Sequence, residues 1–225
     1  MTGRRADRRR AGNRRRTIFL ILLLILGAIF FCSLPGLLAG KAHDLRWKQQ
    51  PNDYYCGPAC GYMLLDYLGA DYSVWGEPLT IEAVADYMQT DDYGYTSFQD
   101  RRFATAINEW LGRDLYQTIY NPSYEEVRSA VMASFDHGYP VVIDSQEREG
   151  GDHLNHHNDA DFTHIMIIYS YNPVTDEVGL VDPLAGLWPD SAAFFHYPSL
   201  RALVELFLQE ESEDGLEHVG IFCAY

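Results

Sequence analysis

The chain reads as an α+β protein, with helices first and antiparallel strands second. Three observations predict this. Between residues 57 and 137, apolar positions recur mostly at helical spacing, with capping residues at the segment ends. From Pro140 onward, short apolar runs follow one another between turn residues. No internal repeat is visible, and no Gly-rich phosphate loop ending in Lys-Ser/Thr occurs, which excludes an ATPase half.

The order begins with a basic cluster. Residues 1–16 hold eight arginines and one Asp, and residues 17–40 hold no charge. As a helix, 17–40 would run about 36 Å, enough to cross a hydrocarbon core of ~30 Å. The arginines would remain in the cytoplasm, leaving residues 41–225 on the extracytoplasmic side. A cleaved signal peptide is the alternative: Ile18 to Cys32 fits its apolar region, with a cut near Ala39 to Ala42. The long uncharged stretch favours an uncleaved, single-pass anchor, and both readings export the domain. Phe31 is too large for a lipoprotein cleavage site before Cys32. The expected organisation is a tail at 1–16, a transmembrane anchor at 17–40 and one domain at 41–225.

Within that domain, Gly57 to Leu68 is an apolar helix stopped by Gly69. Thr80 to Met88 is a second helix, with Ile81, Val84, Ala85 and Met88 on one face. Ser97 to Leu111 is a third, with capping-box spacing at Ser97 and Asp100 and Gly112 at its end. Leu115 to Tyr120 is a short strand. Ser123 and Glu126 open a fourth helix that reaches His137 and stops at Gly138. Pro140 to Asp144 is a buried strand. Thr163 to Tyr171 carries the strongest strand pattern, and Glu177 to Val181 returns after the turn Asn172 to Asp176, forming a hairpin. Ser199 caps a late helix to Leu208, and Val219 to Ala224 is the last strand.

Charge narrows the function. Without the tail's nine charges, 9 basic and 31 acidic residues remain, a net charge near -22. A surface that acidic repels phosphate backbones, so nucleic-acid binding is not expected. Four cysteines are too few for a disulfide framework. One bridge between Cys60 and Cys223 is conceivable outside the cell, but small buried thiols are the favoured reading.

Cys56 carries the chemistry. It stands at the start of an apolar helix, where helix-end N–H groups and a nearby imidazolium lower a thiol pKa. Pro58 is tolerated in the first turn, and Gly57 lets a substrate carbonyl approach the backbone. Gln50, six residues upstream, offers an amide that could bind an oxyanion together with the Cys56 N–H. His164 begins the strongest strand and suits a general base. Asp182 ends the returning strand and could orient that base. Each residue alone also has an ordinary structural reading, but the ordered set of four favours a thiol nucleophile.

The Gln-x5-Cys-Gly-Pro-Ala run from Gln50 to Ala59 resembles the papain-like cysteine peptidases of the bacteriocin-processing, double-glycine leader peptidase type. Its closest likeness is to their stand-alone, peptidase-like bacterial relatives. The strand carrying His164 and the strand ending in Asp182-Pro183 fit the same pattern, across roughly residues 45–190. The resemblance implies a papain-like fold, with a helical part bearing the nucleophile packed on an antiparallel sheet. It also implies a peptide or protein substrate and cofactor-free Cys-His-Asp chemistry, with Gln50 at the oxyanion position. Tyr55 stands where the leader peptidases often have Asp, and no transporter or ATPase domain is attached. A double-glycine substrate therefore does not follow.

The insert Gly150 to Asp161 holds His153, His156, His157, Asp152, Asp159 and Asp161. Such loops are more often solvated than metal-binding; shaping substrate access is the more plausible role, and no metal ligand is assigned. Trp75, Trp188 and the stretch Asp91 to Tyr95 are read as packing or rim aromatics. Two rivals to a peptidase or amidase stay open. One is an inactive module on the same fold that binds peptide or cell-wall fragments. The other is a cell-wall hydrolase, against which the Cys-Gly-Pro-Ala run argues.

Overall fold

Every position of the strand Val141–Glu147 is buried, so neither face of the sheet can be left to water. The computed structural model describes residues 40–91, 102–208 and 220–224. The anchor read at 17–40, apart from Gly40, lies outside them, as do Ser97 and Asp100. Among the described residues, no helix is long and apolar enough to cross a membrane.

The elements are β1 (Lys41–Ala42), α1 (Cys56–Tyr67), α2 (Ile81–Met88), α3 (Arg102–Leu111), β2 (Tyr116–Tyr120) and α4 (Tyr124–Asp136). There follow β3 (Val141–Glu147), β4 (Phe162–Tyr171), β5 (Val178–Val181), β6 (Phe194–Tyr197), α5 (Leu200–Phe207) and β7 (Gly220–Ala224). The strands form one sheet in the order β2-β7-β3-β4-β5-β6, with β1 paired to β4 off this path. All pairings are antiparallel. The architecture is α+β.

Strand side chains alternate between faces, and here both faces are covered. Val142, Ile165, Ile167 and Val181 pack with Met63 and Leu64 of α1, Val84 of α2 and Ile107 of α3. Val141, Ile143, Met166, Ile168 and Leu180 pack with Val127 and Val131 of α4 and Leu203 of α5. The sequence implied a helical part on the sheet; the structure has a helical layer on each side. Cys60 belongs to the first core and Cys223 to the second. The sheet therefore separates them, and the conceivable bridge is replaced by two buried residues. Cys60 is a free thiol whose S–H donates to the Ile165 carbonyl at 3.2 Å.

The end signals explain where the helices sit. Thr80 accepts from the Ala83 N–H, Ser199 from Ala202, and Ser123 and Glu126 form a reciprocal capping box. Gly112 and Gly138, at φ of 63° and 83°, take the left-handed turns that end α3 and α4. Strands β1 and β6 were not legible: β1 has two residues, and β6 alternates exposed and half-buried positions without a buried residue. Strand β3 runs three residues past the expected Asp144, through Ser145 and Gln146 to Glu147.

Helix α1 carries the candidate nucleophile, so its seating matters most. A Cβ built on Gly61 would lie 2.5 Å from Met88 Cε and 2.8 Å from Val84 Cγ1. This glycine sets how closely α1 approaches α2. We expect Gly61→Ala to destabilise the domain by about 1–3 kcal/mol through overpacking. Urea unfolding of residues 41–225 measures this, and an unchanged midpoint would mean that the contact is not tight.

Candidate active site

The N-terminus of α1 has no side-chain cap. Tyr55 caps it without a side-chain hydrogen bond, and no acidic residue stands in the first turn. The first helical bond is Ala59 N–H to Tyr55 O, at 3.0 Å. Cys56 keeps part of its surface exposed. The groups that act on its sulfur are the His164 side chain and the backbone at Ile165 and Gly57. Burial pushes the thiol up, but the hydrogen bond and charge of His164, with those backbone bonds, hold it below its ordinary value.

His164 sits near the start of β4 and is 2% exposed. Its Nε2 is 2.8 Å from Asp182 Oδ1, which leaves Nδ1 for the sulfur. Burial alone would lower its pKa; the charge and hydrogen bond of Asp182, helped by Cys56, raise it to about 10. Asp182 lies directly after β5 with no exposed surface. Its Oδ1 also accepts the Leu184 N–H at 2.8 Å. Its Oδ2 faces His157 Nε2 at 2.9 Å and accepts from Asn155 Nδ2. Burial opposes ionisation of this carboxyl, but the charge of His164 and the bonds from both histidines hold it far below the usual carboxylate range.

Gln50 is placed against the same turn. Its N–H donates to Pro183 O at 2.9 Å, and nearby Trp47 donates its indole N–H to Asp182 O at 2.8 Å. The Gln50 side chain is buried, and its Nε2 donates to Asn52 O at 2.7 Å. An amide nitrogen carries two hydrogens, so one donor remains for another acceptor. The structure thus joins Cys56, His164 and Asp182 in one line, and seats Gln50 beside the Asp182-Pro183 turn.

The model of the Peptidase_C39 like family matches residues 43–193. The chain belongs to this family. At that level it stands among cysteine peptidase-type hydrolases. Among solved structures it is similar to a double glycine motif protease from an AMS/PCAT transporter, determined in complex with the leader peptide. The identity is 12% over 82% of this chain and 95% of that one, with a TM-score of 0.47. No curated protein matches the chain.

The insert of this C39-like domain departs from what the sequence suggested. A wholly solvated loop is not what forms, because its centre is buried: Leu154, Asn155 and His157 are 1%, 9% and 6% exposed. His157 Nδ1 is 2.6 Å from Glu147 Oε1, and Glu147 Oε2 accepts the Leu154 N–H at 3.2 Å and faces His153 Nδ1 at 3.0 Å. His153 Nε2 faces the exposed Asp159, at 3.1 Å. Asn155 and His156 adopt φ of 48° and 60°, uncommon for residues other than glycine. That turn delivers Asn155 and His157 onto Asp182. Donor atoms of His157, His164 and Asp182 lie within 4.8 Å of one another, yet each of those imidazole nitrogens is hydrogen-bonded to the carboxylate.

Trp188, expected as a packing or rim aromatic, lies edge-on to His157 at 5.1 Å and to Phe162 at 5.2 Å, walling the site on one side. One further residue has no signal in the sequence. Asp144 on β3 pairs across the sheet with Ile165 and is 4% exposed. Its Oδ1 has no hydrogen-bond partner among the described residues. Burial, then the charge of Cys56, pushes its carboxyl well above the usual range, with His164 opposing. No local pattern could have flagged it, since Val141 to Asp144 reads as an ordinary buried run.

These directions fix a pH dependence. The thiol is lowered and the imidazole raised to about 10, so the thiolate–imidazolium form extends below the ordinary thiol range and is lost as pH rises past the imidazole. Iodoacetamide should alkylate Cys56 well below pH 7, and His164→Ala should move the profile up toward an ordinary thiol near 8.5. An unmoved profile in the His164 variant would mean that the two side chains are not coupled.

Proposed function

We propose that this protein is an extracytoplasmic cysteine peptidase or amidase that cleaves amide bonds in peptide or protein substrates. One observation carries the reading: His164 holds the Asp182 carboxylate through Nε2 at 2.8 Å and acts on the Cys56 sulfur, lowering the thiol. That arrangement supplies a nucleophile, a proton carrier and an orienter in sequence.

In this mechanism the Cys56 thiolate attacks the carbonyl carbon, forming a C–S bond and moving charge onto the carbonyl oxygen. The Cys56 N–H and the second Gln50 amide hydrogen bind that oxyanion. The C–N bond breaks, and His164 gives its proton to the leaving amine. Water then attacks the thioester while His164 accepts a proton from it; the C–S bond breaks, the acid product leaves, and the thiolate–imidazolium pair is restored. Asp182 keeps Nε2 of His164 engaged throughout, so Nδ1 stays on the sulfur. No cofactor is required.

The location rests on sequence. The uncharged stretch 17–40 behind eight arginines supports a single-pass anchor with a cytoplasmic N-terminus and residues 41–225 outside. A secreted, cleaved form exports the same domain.

A peptide-library digest with the soluble part, residues 41–225, tests the activity. Cys56→Ala should abolish cleavage while circular dichroism stays unchanged; cleavage that survives would reject the mechanism. Absence of cleavage by the native enzyme, with peptides still bound, would favour an inactive binding module. Against a cleaved peptide, Gln50→Ala should lower kcat by roughly 10²–10³-fold, the loss of one oxyanion donor. A change in KM alone would assign Gln50 to binding instead.

A further inference from the structure

The mechanism above uses one histidine on Asp182, but the structure places two there. His164 faces Oδ1 at 2.8 Å and His157 faces Oδ2 at 2.9 Å. The two rings stand edge to face, 5.1 Å apart. Both are almost fully buried, so this contact is not a fluctuating surface pair. His157 is also held from behind by Glu147 at 2.6 Å. The charged and titratable groups facing His157 are Asp182, Glu147 and His164, from the end of β5, from β3 and from β4. Phe162 and Trp188 close its remaining sides.

We propose that His157, seated by Glu147, is a positioning residue that shares Asp182 with His164 and so sets how firmly His164 holds its proton. The proposal rests on the cysteine-peptidase reading of the site. The physical reason is competition. A single ionised carboxylate facing one imidazole binds that ring's proton tightly, and a general acid that tight protonates a leaving amine poorly. A second imidazole on the other oxygen draws off part of the carboxylate's charge. Burial would strip His157 of its proton, but the bonds to Asp182 and Glu147 keep its pKa raised, and the charge of His164 works against it. By reciprocity, a protonated His157 loosens the proton on His164. The insert is then part of the active site, acting on His164 through the carboxylate of Asp182.

The test uses the full chain in detergent, with His157→Gln, Glu147→Gln and His164→Ala beside it. His157→Gln keeps an N–H donor for Asp182 and removes the positive charge. The first readout is the pH profile of Cys56 alkylation, which needs no substrate. The upper limit of the thiolate–imidazolium form should move up by roughly two pH units in His157→Gln, as for unit charges about 5 Å apart at an effective dielectric near 20. In a cleavage assay, kcat should fall about tenfold with KM within about twofold, the pattern of a weakened proton donor. Glu147→Gln should shift both readouts in the same direction by less. An upper limit that stays in place in a folded His157→Gln overturns the proposal. A native profile unaltered by His164→Ala overturns the peptidase reading instead, so the two failures are distinct. If His157→Gln does not fold, imidazole NMR of the unmodified protein decides. His157 with both ring nitrogens protonated at pH 7 supports the proposal, and a single neutral tautomer overturns it.

Discussion

The buried carboxylate of Asp182 is the constraint on which the rest of the site depends. An ion with no exposed surface is costly by several kcal/mol unless its lone pairs are satisfied. Here four donors from three segments converge: His164 from β4, His157 and Asn155 from the insert, and the Leu184 N–H from the turn after β5. Removing one would leave the others around a poorly compensated charge, so the segments are coupled. Even the backbone oxygen of Asp182 is engaged, by Trp47. That bond ties the stretch carrying Gln50 to the same point.

The scaffold serves that convergence. Two helical layers press on both faces of the sheet, so β3, β4 and β5 are fixed from above and below. Helix α1 is located by three independent contacts: the close approach at Gly61, the Cys60 thiol on Ile165 O, and the sulfur of Cys56 beside His164. Cys60 and Cys56 are one helical turn apart and meet consecutive residues of β4. A shift of α1 along its axis would break both contacts together, so the nucleophile's position is set by packing rather than by a loop.

Much of this was legible in the sequence. Periodicity and caps located α1, α2 and α4, because Thr80, Ser123 and Gly138 act locally and their partners lie within a few residues. The hairpin of β4 and β5 was equally local. The order Gln50, Cys56, His164, Asp182 marked the candidate site because Cys56, His164 and Asp182 fall at or beside element ends, with Gln50 in the stretch leading into α1. What stayed hidden depends on long-range register. His157 and Glu147 meet across ten residues and Asp182 lies 25 residues beyond His157, so nothing in the run GGDHLNHHNDAD distinguishes a buried histidine from its solvated neighbour His156. Asp144 was hidden for the same reason. Strand β6 escaped because an edge strand with no buried residue lacks the apolar pattern that identifies strands.

The excess of acid explains why the site is built as it is. Residues outside the basic tail carry a charge near -22, and a negative surroundings raises a thiol pKa. Screening weakens that field beyond roughly 8–10 Å, so the groups close to the sulfur decide the outcome. Those nearest it all favour the thiolate: an α1 first turn without acid, backbone bonds at Gly57 and Ile165, and the His164 ring. Among the described residues, a carboxyl that acts on the sulfur without an imidazole partner is Asp144, and burial makes its ionisation unfavourable. In its neutral form it adds no charge against the sulfur. The other carboxyl, Asp182, is ionised but stands behind the imidazole, where its charge stabilises the cation that faces the thiolate. Burial pushes both carboxyls up; the two imidazoles reverse this at Asp182 but not at Asp144, and both outcomes favour the same ion pair.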